Sequence, residues 1–131
     1  MRRLLWITSI CTTAYWLAWF VHRPLVATDV RPGYEEFVNA FPVADGWYAV
    51  CLAAAAVSLS RRRPVALLWL FAAGGAGMFL ACIDVLYDIE HGIWGRGMSG
   101  VLEFAINVAT AAIAVGVLRW GWTRRRALLG P

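Results

Sequence analysis

The 131-residue sequence contains no lysine, and only 15% of it is charged, against about a quarter in an ordinary soluble domain. So few charges exclude a solvated disordered chain and an acidic or basic tail. Cysteine is scarce as well. Cys11, Cys51 and Cys82 are odd in number, lie within apolar runs and include no C-x-x-C. That excludes a disulfide framework and paired-thiol redox chemistry, and it makes the three small apolar packing residues. There is no nucleophile elbow, Walker loop or zinc-protease helix, so the common hydrolytic and nucleotide-binding chemistries have no foothold. Gly74, Gly75 and Gly77 sit inside an apolar run and read as packing devices, with no phosphate loop around them. Two histidines without a companion motif point to no haem, and no cofactor is expected.

What the sequence has in abundance is apolar surface. It is 61% hydrophobic, with eight Trp, six Phe and four Tyr, more than a soluble core of this length would have to hold. A membrane removes that requirement. Four apolar runs stand out, at about 4–22, 43–60, 64–87 and 98–122, each long enough to cross a hydrocarbon slab of about 30 Å at 1.5 Å per residue. The second is short and opens with Asp45 and Gly46, but its Ala53 to Ala56 centre suits a packed helix. Arg2 and Arg3 before the first run resemble the start of a secretory signal. Tyr15, Trp16 and Trp19 within the run, and the lack of a small-x-small site after it, make it a retained helix instead. The expectation is an all-α polytopic membrane protein, one domain over 1–131, built as an antiparallel bundle of four transmembrane helices.

The net charge of +4 does not indicate nucleic acid, because the arginines punctuate apolar runs and form no patch. Nine of the twelve lie at the N-terminus, in Arg61 to Arg63 and from Arg119 onward; only Arg23, Arg31 and Arg96 fall in the alternate connections. The positive-inside rule then puts both termini in the cytoplasm, and the expected location is a bacterial plasma membrane. All eight acids fall at the opposite, outer end. Trp6, Trp120 and Trp122 near one interface, with Trp47 and Trp94 near the other, fit aromatic belts. The outer connection 23–42 carries a stretch, 34–41, in which Tyr34, Phe37, Val38 and Phe41 share one helical face and Glu35, Glu36 and Asn39 the other. This predicts a short amphipathic interfacial helix, placed as a lid.

Helical spacing then sorts the polar groups. In the third run Ala73, Gly77, Ala81, Asp84, Asp88 and His91 form one stripe; in the fourth, Gly100, Glu103, Asn107, Thr110 and Ala114 do so; in the first, Thr8, Thr12, Tyr15, Trp19 and His22 do. The second run offers only Asp45, Tyr48 and Cys51 at its outer end. Counted from the arginines at 1.5 Å per residue, Tyr15 and Asn107 lie roughly 18 Å from the inner anchor, Trp19 and Glu103 at roughly 24 Å, and Asp84 and His22 at roughly 28 to 32 Å. Glu103 is the carboxylate most clearly inside the apolar slab. There it acts either as a proton-exchanging or cation-binding group, or as a structural hydrogen bond to Tyr15, Asn107 or His22 that holds the first and fourth membrane helices in register. Asp88 or Glu90 paired with His91 or Arg96 would stabilise the second outer turn. The D-x3-D-x2-H set, joined by Glu103 and His22, has the residue types of a divalent site, but it matches no metal motif and no metal is expected.

In length and span number the chain resembles small four-helix bacterial membrane proteins in general, including the DoxX-like group and the small multidrug transporters, the latter with a Glu in the middle of their first helix. Here the first helix has no acid. Carboxylates beside aromatic walls are also what membrane-embedded terpene cyclases and sterol isomerases use, and Asp84, Glu103, Tyr15, Trp16 and Trp19 supply those residue types. The leading expectation is a protein that binds or transports a cationic or amphiphilic small molecule or lipid through an outward acidic pocket. Glu103 and Asp84 are the reactive carboxylates, and Tyr15, Trp19, His22, Asp88, His91 and Asn107 the ligand-binding set. Two alternatives stand beside it: a small membrane-embedded enzyme acting on an isoprenoid or lipid with one of those carboxylates as general acid, and an accessory subunit of a larger membrane complex. Expected partners are the lipid bilayer, a small amphiphilic or isoprenoid ligand, and a second copy or another membrane protein.

Overall fold

The computed structural model describes residues 1–27 and 33–130. Among these it is entirely helical. The elements are α1 (Arg2–His22), α2 (Tyr34–Val38), α3 (Pro42–Ser60), α4 (Ala66–His91) and α5 (Gly97–Leu129), with single 3-10 turns at Arg23–Leu25 and Ile93–Gly95. Four of them, α1, α3, α4 and α5, are long and apolar enough to cross a membrane.

Local chemistry sets the ends. Pro42 opens α3 at a position where its missing N–H costs nothing. Gly92 closes α4 in the left-handed region at φ +61°, its N–H donating to the carbonyls of Asp88 and Ile89. Helix α4 therefore runs four residues past the expected end at 87, which puts Asp88 and His91 on regular helix. Helix α5 continues seven residues beyond 122, because Thr123 to Arg126 are compatible with helix and only Gly130 ends it. The hydroxyls of Thr13 and Ser60 donate to the carbonyls of Ser9 and Ala56 one turn back, and so are satisfied within their own helices.

Each long helix packs on the next in the chain: α1 on α3, α3 on α4, α4 on α5. Helices α1 and α5, at the two ends of this series, make no extended contact. The small-residue stripe of α4 faces into the protein. Ala73, Gly74, Gly77 and Ala81 are buried, and a Cβ on Gly74 would overlap Leu118 of α5 at 2.5 Å. The core has two parts. Leu5, Leu52, Ala55, Leu70 and Val117 fill one, and Trp16, Trp19, Tyr34 and Val38 the other. Ser9 Oγ donates to the carbonyl of Ala49, and Trp16 Nε1 to Asp45 Oδ2, both at 2.9 Å, tying α1 to α3.

Gly100 is the tightest point. A Cβ there would overlap the carbonyl oxygens of Ile93 and Trp94 in the turn that leads into α5. Backbone cannot yield as a flexible side chain does, so Gly100→Ala is expected to destabilise the protein by about 1–3 kcal/mol. Thermal unfolding in detergent measures this, and an unchanged midpoint would show that the turn can shift freely.

Candidate functional site

Between the two core clusters lies a cavity of about 720 Å³, within the range of small-molecule sites. Every long helix contributes to its wall: Thr12 and Tyr15 from α1, Asp45 and Tyr48 from α3, Asp84 and Asp88 from α4, Glu103 and Thr110 from α5. Helix α2 covers it. Gly33, at φ +87°, turns the chain into α2, and Tyr34, Phe37 and Val38 look onto the cavity. Three contacts hold this cover in place. Phe37 stacks on Tyr87 of α4 with ring centres 3.6 Å apart. Trp19 Nε1 donates to Asn39 Oδ1 at 3.0 Å. Arg23 pairs with Glu35 at 2.6 Å and lies over the Trp19 ring.

The expected site residues separate into three groups. Glu103, Asp84, Tyr15 and Asp88 line the cavity. Asn107 and Trp19 are buried beside it in structural hydrogen bonds. Asn107 Nδ2 donates to Asp88 Oδ2 at 2.6 Å, and Trp94 Nε1 reaches the same oxygen at 2.9 Å. Asp88, only 6% exposed, thus joins α4, the turn that follows it and α5. This differs from the expected pairing of that carboxylate with His91 or Arg96. An indole and an amide donor satisfy it without exposing it to water, while the Arg96 guanidinium donates to the His91 carbonyl. His22 and His91 form the third group. Both are exposed and neither lines the cavity. His91 stacks on the outer side of Tyr87, and its Nδ1 lies 2.9 Å from the Tyr87 carbonyl oxygen. Among the described residues no three His, Cys, Asp or Glu side chains converge as a metal site.

Two wall residues carry more weight than their spacing suggested. Asp45 accepts from Trp16 and faces both the cavity and a shallower groove of about 450 Å³ between α1 and α3. Tyr48 is 4% exposed, and its hydroxyl is buried without a hydrogen-bond partner. Its ring lies against Gly77, where a Cβ would come within 3.0 Å of Tyr48 Cε2, so the glycine admits the tyrosine. The legible signal for this pair was the three-residue spacing of Asp45 and Tyr48, one helical face at the outer end of the second run.

Among the described residues the electrostatics are one-sided: Asp45, Asp84, Asp88 and Glu103 line the cavity, and no arginine or histidine does. Asp88 and Asp45 are hydrogen-bonded by indole and amide donors. Asp84 makes no hydrogen bond or ion pair among the described residues. An unpaired carboxylate against apolar walls is costly and demands a counter-charge or solvent. The site thus belongs to a small helical protein, with four helices of membrane-spanning length, that encloses an acidic, aromatic-walled cavity. No protein-family model matches the chain, and neither does any curated protein or solved structure.

Proposed function

We propose that this chain is a multi-pass protein of a bacterial plasma membrane and that it binds an organic cation carrying an apolar tail, an amine or a quaternary ammonium, in the cavity walled by Asp84. The helices form an antiparallel bundle. The bonds from Ser9 to Ala49 and from Trp16 to Asp45 support this, since residues rising along α1 meet residues falling along α3. Insertion is supported by the outward surface, where Ile7, Ile10, Leu68, Phe79 and Val101 stand exposed in numbers that water would penalise. The positive-inside rule places the arginine-rich termini and the Arg61 to Arg63 turn in the cytoplasm, so the acidic cavity faces the outer leaflet.

The observation that carries the ligand class is that, among the described residues, Asp84 has no hydrogen-bond or ion-pair partner and the buried hydroxyl of Tyr48, on the same cavity, has no hydrogen-bond partner. Aromatic faces from Tyr15, Tyr34, Tyr48 and Tyr87 complete it, and such faces attract cations, quaternary ammonium above all. A test compares four probes on the purified protein in maltoside micelles: dodecyltrimethylammonium, tetramethylammonium, dodecanoate and zwitterionic dodecylphosphocholine. Dodecyltrimethylammonium is expected to raise the thermal unfolding midpoint, with stabilisation of about 2.7 kcal/mol at a hundred times its Kd, and dodecanoate to leave it unmoved. Equal stabilisation by dodecanoate would refute the reading.

The membrane-embedded enzyme keeps one supporting observation, that Tyr15 and Trp16 wall the same cavity as Glu103 and Asp84. Among the described residues a diphosphate would meet carboxylates and no cation, which favours a neutral isoprenoid or lipid for that reading. The accessory-subunit alternative predicts that the small-residue stripe of α4 faces outward; Ala73, Gly74, Gly77 and Ala81 are buried, which supports the cavity reading over it.

A further inference from the structure

Four of the cavity-lining residues are also exposed on the outside of the protein: Cys11 on α1, Leu25 just beyond it, and Leu102 and Ile106 on α5. A residue that faces both a cavity and the exterior marks an opening. Cys11, Leu102 and Ile106 lie on the two helices that do not pack against each other, so the cavity opens sideways, through the gap between α1 and α5. Among the described residues, the exposed positions at that gap are a thiol and aliphatic side chains. Its depth is also informative. At 1.5 Å per residue Cys11 is about 12 Å from Arg3, and Ile106 about 20 Å from Arg119, both within the hydrocarbon slab of a bundle oriented as above. At the outer end the cavity is instead covered by α2, with Phe37 stacked on Tyr87 and Trp19 bonded to Asn39.

Resting on the cation site at Asp84, we propose that the ligand is a membrane-resident amphiphile that enters from the bilayer through the α1–α5 gap, with its cationic head against Asp84 and its hydrocarbon tail left between Cys11 and Ile106. Charge and polarity both fit this occupant. The acidic wall lies inside, the apolar side chains of Cys11 and Ile106 lie at lipid depth, and a head bearing positive charge with one alkyl tail satisfies each in turn. A tail that stays in hydrocarbon loses nothing by leaving the lipid only part-way, so the recognition energy is concentrated at the head, where the carboxylates and aromatic faces are. A water-soluble cation would gain nothing from such a lateral rim.

The test uses the full chain in lipid nanodiscs with a dodecyltrimethylammonium probe bearing a diazirine at the end of its tail. After irradiation, adducts are mapped by peptide mass spectrometry. They are expected on Cys11, Leu102 and Ile106, to be competed by unlabelled dodecyltrimethylammonium, and to fall about tenfold in Asp84→Asn, the loss expected when one charge-assisted contact at the head is removed. Cys82 and Phe79, exposed on α4, serve as lipid-facing positions where labelling should resist competition. Competed adducts on α2 instead, with Asp84-dependent stabilisation retained, would overturn the lateral entry and leave the cation site standing. Adducts missing from α1 and α5 together with a dimeric particle mass would assign the gap to a second copy and also overturn the proposal. Labelling that neither competitor nor Asp84→Asn alters, with no thermal stabilisation by the unlabelled amphiphile, would remove both the entry route and the cation site.

Discussion

Asp84→Asn is expected to weaken binding of dodecyltrimethylammonium by about ten- to a hundredfold while leaving the protein folded. A contact to a charged group contributes about 1.5–3 kcal/mol, and each 1.4 kcal/mol is about a factor of ten in Kd. The substitution preserves shape and removes charge. Since Asp84 bonds to no protein group among the described residues, none of these is left without its partner, and the unfolding midpoint without ligand should stay level or rise. Asp45→Asn makes the informative comparison. Its side chain keeps an oxygen to accept from Trp16 and faces the same cavity, so it should reduce affinity in the same direction. Titration followed by tryptophan fluorescence reads both, and an Asp84→Asn affinity equal to wild type would sink the assignment of this carboxylate as the head-group anchor.

Asp88→Ala should behave in the opposite way, as a variant that damages the fold first. Its Oδ2 accepts from both Asn107 and Trp94, and Asn107 is 2% exposed. Truncation strands two donors in a buried place, at an expected cost of about 3 kcal/mol. Asp88→Asn retains an acceptor oxygen and should lose less than half as much. Two carboxylates one helical turn apart would then be separated by experiment, Asp84 moving affinity and Asp88 moving stability. Equal thermal stability of Asp88→Ala and wild type in detergent would show that the bridge between α4 and α5 does not hold them.

Periodicity placed much of this site. Spacings of three and four brought Asp84 and Asp88 onto one face of α4, and Glu103 and Asn107 onto one face of α5, and all four are found in or beside the cavity. The same spacing also selected Trp19, His22 and His91, which do not line it. Angular position on a helix says which residues look the same way, and nothing about what stands opposite. Trp19 is covered by Tyr34 and bonded to Asn39, His91 lies against the outer side of Tyr87, and His22 ends α1 exposed. Asp45 and Tyr48 were visible as a pair at the mouth of the second run. Their weight came only from long-range packing, Trp16 on one side and Gly77 on the other.

By itself the sequence determined the elements. Apolar run length, Pro42, Gly92 and the arginine clusters are local signals, and local backbone chemistry is sufficient to start, stop and space four long helices. Which carboxylate would be satisfied and which left facing open space was decided by tertiary structure alone. Asp84 and Asp88 are the same residue one turn apart, and they differ because α5 and the turn before it bring Asn107 and Trp94 to one of them, while no described residue bonds the other. The gap between α1 and α5 is likewise a property of packing order. Each helix is covered by its neighbours in the chain, and the two end helices remain unjoined where the cavity opens.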